Sequence, residues 1–318
     1  MSRLNQALGD LNRNGYTFSS LNQLSGGINS ATFQAKSADA VKFALKLYPL
    51  PSKNDPRNRC QAENNFLSYL KSCQVHNTPS LLESNMTAGW SLMSWIEGRK
   101  PKKVQASDLQ EITDFISLIN KDPKKMTRCG LEPASEACES LTELITSIAQ
   151  RIKRYRSSRR SSEVSREAIL WINKTIEPQF RSISQRLLET RAQCSHWRDL
   201  HACRIASPSD VGIHNTLRTQ QGLHFLDFEY AGIDDLSKLA ADWILQPEYR
   251  LDQTQEEIFT ELLRNSMKQR IGTSWHTRFN DIKPLIHIKW CLIMLNQLQK
   301  NNLSQRQLEK AMDYFEAT

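Results

Sequence analysis

One stretch constrains this chain more than any other: Ser207-Pro208-Ser209-Asp210-Val211-Gly212-Ile213-His214-Asn215, followed after a short apolar run by Asp227-Phe228-Glu229. Asp210 is of a type that accepts a proton from a hydroxyl. Asn215, five positions on, and Asp227 are hard oxygen donors of the kind that hold magnesium and, with it, nucleotide phosphates. Between them, Thr216-Leu217-Arg218 and Leu223-His224-Phe225-Leu226 read as two short strands around the turn Gln220-Gln221-Gly222.

The first hundred residues read largely as β-structure. Tyr16-Thr17-Phe18 and Ala31-Thr32-Phe33-Gln34-Ala35 are short runs with aromatic and β-branched residues, and Val41–Tyr48 alternates polar and apolar until Pro49 and Pro51. Leu24-Ser25-Gly26-Gly27-Ile28-Asn29-Ser30 is a glycine turn of hairpin type between the first two runs. Residues 57–71 have helical spacing, with Phe66, Leu67 and Leu70 on one face, and Leu92-Met93-Ser94-Trp95-Ile96 is a further strand stopped by Glu97-Gly98. Beyond Gly98 the pattern turns helical at 109–119, 141–152 and 168–188, with a break near Pro178, and from Leu236 onward. Residues 121–136 and 155–163 read as loops, and 282–298 as a buried helix. The expectation is an α+β chain in two parts, a β-rich segment over 1–96 and a larger, mainly helical segment over 97–318.

Composition narrows the class. The chain has 318 residues, enough to bury a full core. It has no run of eighteen apolar residues and no apolar stretch near its start, so neither a membrane span nor a secretory signal is expected, and the location expected is cytoplasmic. Seven cysteines at irregular spacing, with no Cys-x-x-Cys pair, read as reduced thiols. The net charge of +8 gathers partly in Arg151-Ile152-Lys153-Arg154-Tyr155-Arg156 with Arg159 and Arg160. One aromatic and no stacking series argue against a nucleic-acid partner, while a peripheral contact with a membrane surface stays open. Oligomeric state is not legible.

Position gives meaning to several residues that would be bland alone. Backbone N–H groups at Gly26 and Gly27 can close over phosphates because no side chain intervenes. No Gly-x-x-x-x-Gly-Lys-Ser/Thr loop is present. Lys46, on the strand after the glycine turn, can meet phosphates as a point charge. Glu63 on the following helix is its natural partner, with Arg59 one turn earlier as a competitor for the same carboxylate. Backbone groups at Ser94 and Ile96 suit an adenine edge, with Trp95 read as packing. Glu229 is a candidate extra acid near the metal. A zinc site around His201, Cys203 and His214 lacks a second ligand pair, and a Ser209–His214 hydrolase lacks a Gly-x-Ser-x-Gly elbow.

Taken together, Leu24-Ser25-Gly26-Gly27 with Asn29-Ser30, Lys46, Glu63, Asp210…Asn215 and Asp227-Phe228-Glu229-Tyr230-Ala231-Gly232 resemble the aminoglycoside phosphotransferase and choline kinase superfamily. The resemblance spans about residues 20–245 and implies a bilobal protein-kinase-like fold. It implies Asp210 as the catalytic aspartate and Asn215 and Asp227 as the magnesium ligands. Lys46 with Glu63 would be the phosphate-anchoring pair, and Gly26, Gly27, Asn29 and Ser30 would lie over the nucleotide. The cofactors implied are ATP and Mg²⁺, the reaction phosphoryl transfer to a hydroxyl of a small molecule: an aminoglycoside, an amino alcohol or a sugar. Two departures stand out. The family usually has His-Gly-Asp where this chain has Pro208-Ser209-Asp210, and Asp-Leu-Ala where it has Lys238-Leu239-Ala240, which leaves Asp235 or Asp242 to support the catalytic loop. The altered loop motivates a rival reading, a catalytically weak nucleotide-binding scaffold. Asp-Phe-Glu in place of Asp-Phe-Gly, and no downstream Ala-Pro-Glu, argue against a protein kinase.

Overall fold

The computed structural model describes residues 2–24, 30–53, 55–137, 140–159, 161–190, 197 and 202–317. The chain divides into two compact units, Met1–Glu136 with Ile205–Ile233 and Ala137–Arg204 with Asp234–Thr318.

The first unit is built on a five-stranded sheet, β1 (Ser20–Gln23), β2 (Ala31–Lys36), β3 (Lys42–Leu47), β4 (Leu81–Asn85) and β5 (Trp90–Ser94), in the order β1-β2-β3-β5-β4 and antiparallel throughout. β2 and β3 lie where the second and third of those runs were expected. Tyr16-Thr17-Phe18 is not a strand. Tyr16 and Phe18 instead pack edge-on against Phe43, at 6.0 and 5.9 Å between ring centroids. The aromatic signal there was one of packing, and the first strand begins at Ser20. A helix that sequence reading passed over, α1 (Arg3–Arg13), precedes it. Leu4, Ala7, Leu8 and Leu11 recur at helical spacing and cover a core of Phe33, Leu45, Leu47, Trp90 and Leu92. The Ser2 hydroxyl accepts from Asn5 N–H and caps the helix start. β4 was also passed over, because as an edge strand it is only half-buried and does not alternate.

α2 (Arg59–Ser72) packs against β4 and β5, capped by the Asn58 side chain, and buries Phe66, Leu67 and Leu70 as their spacing predicts. α3 (Ala106–Ile119) follows β5, and the stretch read as a loop over 121–136 holds a short helix, α4 (Pro123–Arg128), started by Asp122. The returning segment brings β6 (Arg204–Ser207) and the hairpin β7 (Thr216–Thr219) and β8 (Gly222–Phe225), paired from Thr216↔Phe225 to Thr219↔Gly222 around the expected turn. Asp108 grips Arg218 through both carboxylate oxygens, at 2.7 and 2.8 Å, and backbone bonds join Arg99 to Arg218. An aromatic stack fills the interior: Phe115 lies 4.1 Å from Phe225 and 6.4 Å from Phe228, and Phe66 lies 5.3 Å from Phe228.

After β9 (Gly232–Asp235) the chain runs on in the second unit, whose elements among the described residues are helical. These are α5 (Leu141–Arg156), α6 (Glu163–Trp171), α7 (Glu177–Thr190), α8 (Leu236–Ile244), α9 (Gln253–Ile271), α10 (Ser274–Met294) and α11 (Gln305–Glu316). The break expected near Pro178 is a π-helical turn over Ile172–Ile176 that joins α6 to α7 without stopping the helix. α10 is the buried helix expected at 282–298, although it starts earlier and gives way to a 3₁₀ turn at Asn296–Lys300. The basic run is partly structural: Arg156 pairs with Glu177 at 2.9 Å and Arg151 donates to Asn296 at 3.2 Å. Among the described residues no helix is long and apolar enough to cross a membrane.

Candidate active site

The whole candidate site lies within the first unit. Its centre is Lys46, on β3 opposite Thr32 and Ser91, with 5 % of its surface exposed. Its ammonium meets Glu63 at 2.6 Å, Asp227 at 2.6 Å and Glu229 at 3.4 Å. Burial works against the charge, but Glu63, Asp227 and Glu229 outweigh it and hold the ammonium well above the ordinary lysine value. Lys46 is therefore a fixed cation. Glu63 also accepts the Phe228 N–H at 3.2 Å through its other oxygen, so one buried carboxylate on α2 fixes both the lysine and the backbone beside Asp227. Burial pushes the Glu63 carboxyl up, Lys46 pulls it back, and Asp227 adds a further push.

Three carboxylates around one ammonium leave negative charge in excess. One oxygen from each of Glu63, Asp227 and Glu229 falls within 4.8 Å of the others. Glu229 has its own partners. Arg59 meets it at 2.7 Å, and the Ser30 hydroxyl donates to it. Arg59 thus does not compete for Glu63; it joins Glu229 to Asp55, at 3.0 Å, and stacks over the Tyr230 ring at 4.8 Å. Burial and Glu229 push the Tyr230 hydroxyl up to about 12, against the pull of Arg59. Asp227 is the exposed member of the group, with 43 % of its side chain accessible, and so is the one best placed to meet an incoming ion.

The β7–β8 hairpin brings the backbone of Asn215 beside that of Leu226, one residue before Asp227. Thr216 faces Phe225, and Leu226 N–H donates to the Asn215 carbonyl at 2.9 Å, extending the ladder one step beyond the strands. Asp227 is the next residue, and its φ of +65° turns the chain there. Phe228, buried in the aromatic stack, anchors the segment from behind. The Asn215 amide donates to the Asp210 carbonyl at 2.9 Å, which commits its N–H₂ group to the loop and suits its oxygen to a cation.

Asp210 stands three residues beyond a buried Ser207, whose hydroxyl accepts Ser209 N–H at 3.1 Å. The strand before it is held by Asn120, a residue that sequence reading missed: its side chain takes the Ala206 N–H at 2.8 Å and gives to the Ala206 carbonyl at 3.0 Å, as a neighbouring strand would. Its only sequence signal is a polar residue closing an apolar helical run. Ser209 adopts φ +62°, where the resembled pattern has glycine. A side chain there costs about 1–2 kcal/mol, partly offset by the chain entropy that glycine loses on folding. Ser209→Gly should therefore raise stability by about 0.5–1 kcal/mol, measured by chemical denaturation, while Ser209→Ala gives no gain.

Of the other expected contacts, Ser94 closes β5 and its hydroxyl accepts Ser80 N–H at 2.8 Å. Ile96 lies two residues past the strand and is half-buried. The Trp95 indole donates to Glu97 at 3.0 Å, and Glu97 pairs with Lys42 at 2.9 Å. Gly26, Gly27 and Asn29 lie outside the described residues; the strands on either side pair up to Gln23↔Phe33, and Leu24 N–H donates to the Thr32 carbonyl. In the second unit, Asp235 meets Arg278 at 2.5 Å, and Asp242 meets Lys238 at 2.9 Å and Lys289 at 2.6 Å.

The same architecture occurs in solved phosphotransferases. The choline kinase of Cryptosporidium parvum shares 12 % identity over 99 % of this chain and 94 % of its own, with a TM-score of 0.62. A spectinomycin phosphotransferase in complex with ADP and spectinomycin shares 12 % over 98 % and 93 %, with a TM-score of 0.63. The GDP complex of an aminoglycoside 2′-phosphotransferase mutant shares 11 % over 99 % and 97 %, with a TM-score of 0.65. At such identities the likeness is one of fold, and it makes this a protein-kinase-like fold, with a five-stranded β-sheet in one part and a helical remainder. No curated protein matches the sequence. The model of the phosphotransferase enzyme family matches residues 20–262, well over half of the chain. The chain belongs to the phosphotransferase enzyme family.

Proposed function

We propose that this protein is a magnesium-dependent kinase that transfers the γ-phosphoryl group of ATP to a hydroxyl of a small molecule. The observation that carries the reading is the Lys46 ammonium enclosed by Glu63, Asp227 and Glu229, with Asn215 brought beside Asp227 by the hairpin ladder. A fixed cation beside a surplus of carboxylate suits a nucleotide phosphate and a divalent ion entering together. The donor set also fits: a carboxylate at Asp227 and an amide oxygen at Asn215 are hard ligands of the sort Mg²⁺ takes alongside phosphate oxygens. When bound, the ion would neutralise charge on those oxygens.

The chain's own groups then have distinct tasks. Lys46, aimed by Glu63, holds the phosphates. Asp210 accepts the proton of the acceptor hydroxyl as its oxygen bonds to the γ-phosphorus and the bridging oxygen departs with ADP. Gly26, Gly27, Asn29 and Ser30 cover the phosphates, and Ser94 and Ile96 offer backbone groups to the base. Residues 1–96 serve as the nucleotide-binding part, and residues 97–318 supply the catalytic loop and the acceptor site. Positioning and electrostatics provide most of the rate in such a reaction. The fold relatives act, by their names, on choline, spectinomycin and aminoglycosides, and an amino alcohol, an aminoglycoside or a sugar is the acceptor class proposed here.

The test is to incubate the protein with MgATP or MgGTP and choline, spectinomycin, an aminoglycoside or a simple sugar, and to look for a phosphorylated product by mass spectrometry. Millimolar MgATP should also raise the melting temperature, through preferential binding to the folded state. An unchanged melting temperature together with no product from any acceptor would contradict the reading.

A further inference from the structure

His214 has no part in the chemistry assigned above, yet its imidazole Nε2 lies 3.1 Å from the Asp210 carboxylate, four residues back along the chain. We propose that His214 is the positioning residue for Asp210, holding the carboxylate in the direction from which it takes the acceptor proton. The inference rests on the reading of Asp210 as the base.

The local geometry makes the contact a designed grip rather than a chance surface pair. Ile213–Asn215 form a 3₁₀ turn, closed by Asn215 N–H on the Gly212 carbonyl at 2.9 Å and by the Thr216 hydroxyl on the Ile213 carbonyl at 2.9 Å. Val211 and Ile213 are buried and seat the turn. Two consecutive residues on this turn then reach back to one target. His214 takes the side chain of Asp210, and Asn215 takes its carbonyl at 2.9 Å. Both side chains of the His214–Asp210 pair are mostly withdrawn from solvent, at 23 % and 33 % accessible, so the contact is screened less than a surface pair. An aspartate turns about two side-chain torsions, and the second has a broad, shallow profile. A carboxylate left to itself would sample orientations that miss the acceptor. An imidazole carrying its proton on Nε2 donates to Oδ1 and fixes the plane of the group. The chain has Pro208, not a histidine, two residues before Asp210, so the support comes from the far end of the loop.

A positioning role has a particular kinetic form. The nucleotide is held by Lys46, Asn215 and Asp227, none of which His214 replaces, so its loss should fall on turnover and spare nucleotide affinity. His214→Ala should lower kcat for MgATP turnover by about 10–100-fold, the order of effect a misdirected catalytic group produces, with KM for MgATP within about twofold of wild type. His214→Gln, whose amide nitrogen reaches about as far as Nε2, should recover most of that loss. In an Asp210→Asn background, His214→Ala should add nothing further, because the two act as one unit. A readout independent of turnover is the ¹⁵N resonance of the His214 imidazole, which should shift in Asp210→Ala if the contact exists.

Full activity in His214→Ala, or equal losses in the Ala and Gln variants, would overturn the proposal. So would an imidazole resonance unmoved by Asp210→Ala. Failure of the parent reading looks different: Asp210→Asn would itself keep full activity, while the imidazole shift would still report the contact. The MgATP-induced rise in melting temperature serves as the folding control for every variant.

Discussion

Lys238→Met is expected to destabilise the protein by about 3–5 kcal/mol, the effect of removing one partner from a buried ion pair. Lys238 stands where the resembled pattern has an aspartate, and it is 3 % exposed on α8. Its ammonium lies 2.8 Å from Asp234 and 2.9 Å from Asp242, four residues to either side, and Asp242 in turn meets Lys289 of α10 at 2.6 Å. Signs alternate along the row Asp234, Lys238, Asp242, Lys289, so that every buried charge has a neighbour of opposite sign. Methionine fills the same volume but leaves Asp234 without this ammonium. The pH dependence follows from Asp242. Burial pushes its carboxyl up, and Lys238 and Lys289 more than reverse this, so that it sits below its ordinary value. A carboxyl lowered on folding stabilises above its unfolded pKa and loses that contribution as pH falls through its folded one. Without Lys238 one of the two pulls is gone. The gap between wild type and variant should be widest near neutral pH and narrow below about pH 4, measured by urea denaturation across the range. A gap that widened toward acid would contradict this account of the row.

The candidate site residues were more legible in the sequence than the residues that support them. Lys46 and Glu63 announce themselves by order along the chain, a strand lysine followed by a helix glutamate, and they meet at 2.6 Å. The hairpin between Asn215 and Asp227 was legible from its turn Gln220-Gln221-Gly222, and the strands pair as expected. Arg59 could not be placed: helical spacing allowed it Glu63, and only the fold brings Glu229, 170 residues away, to the same side of α2. Asn120 and Lys238 were beyond reach for the same reason, since each is a polar residue whose worth depends on a buried partner that spacing does not show. α1 was missed although Leu4, Ala7, Leu8 and Leu11 carry its period, because its polar residues outnumber them and the cover it gives to Trp90 and Leu45 is a tertiary contact. Tyr16 and Phe18 show the converse. Aromatic residues suit a strand, but they suit an edge-on contact with Phe43 equally well.

The second large effect concerns the catalytic loop itself. Asp210→Asn keeps the shape of the side chain and a hydrogen-bonding group but cannot take up a proton. Phosphoryl transfer should fall by at least about 100-fold, since general-base assistance is worth roughly 10²–10⁴. Binding of MgATP should be kept, because Lys46, Asn215 and Asp227 are untouched. Asp227→Asn removes a charge from the exposed side of the carboxylate group, next to Lys46 at 2.6 Å. Affinity for the magnesium nucleotide should fall there along with turnover. The two variants therefore separate proton transfer from metal binding within one site, and measuring MgATP affinity and acceptor phosphorylation for both, beside wild type, is the most direct test of the account. The account predicts near wild-type MgATP affinity with phosphorylation lost in Asp210→Asn, and both lowered in Asp227→Asn. Full phosphorylation by Asp210→Asn would contradict it.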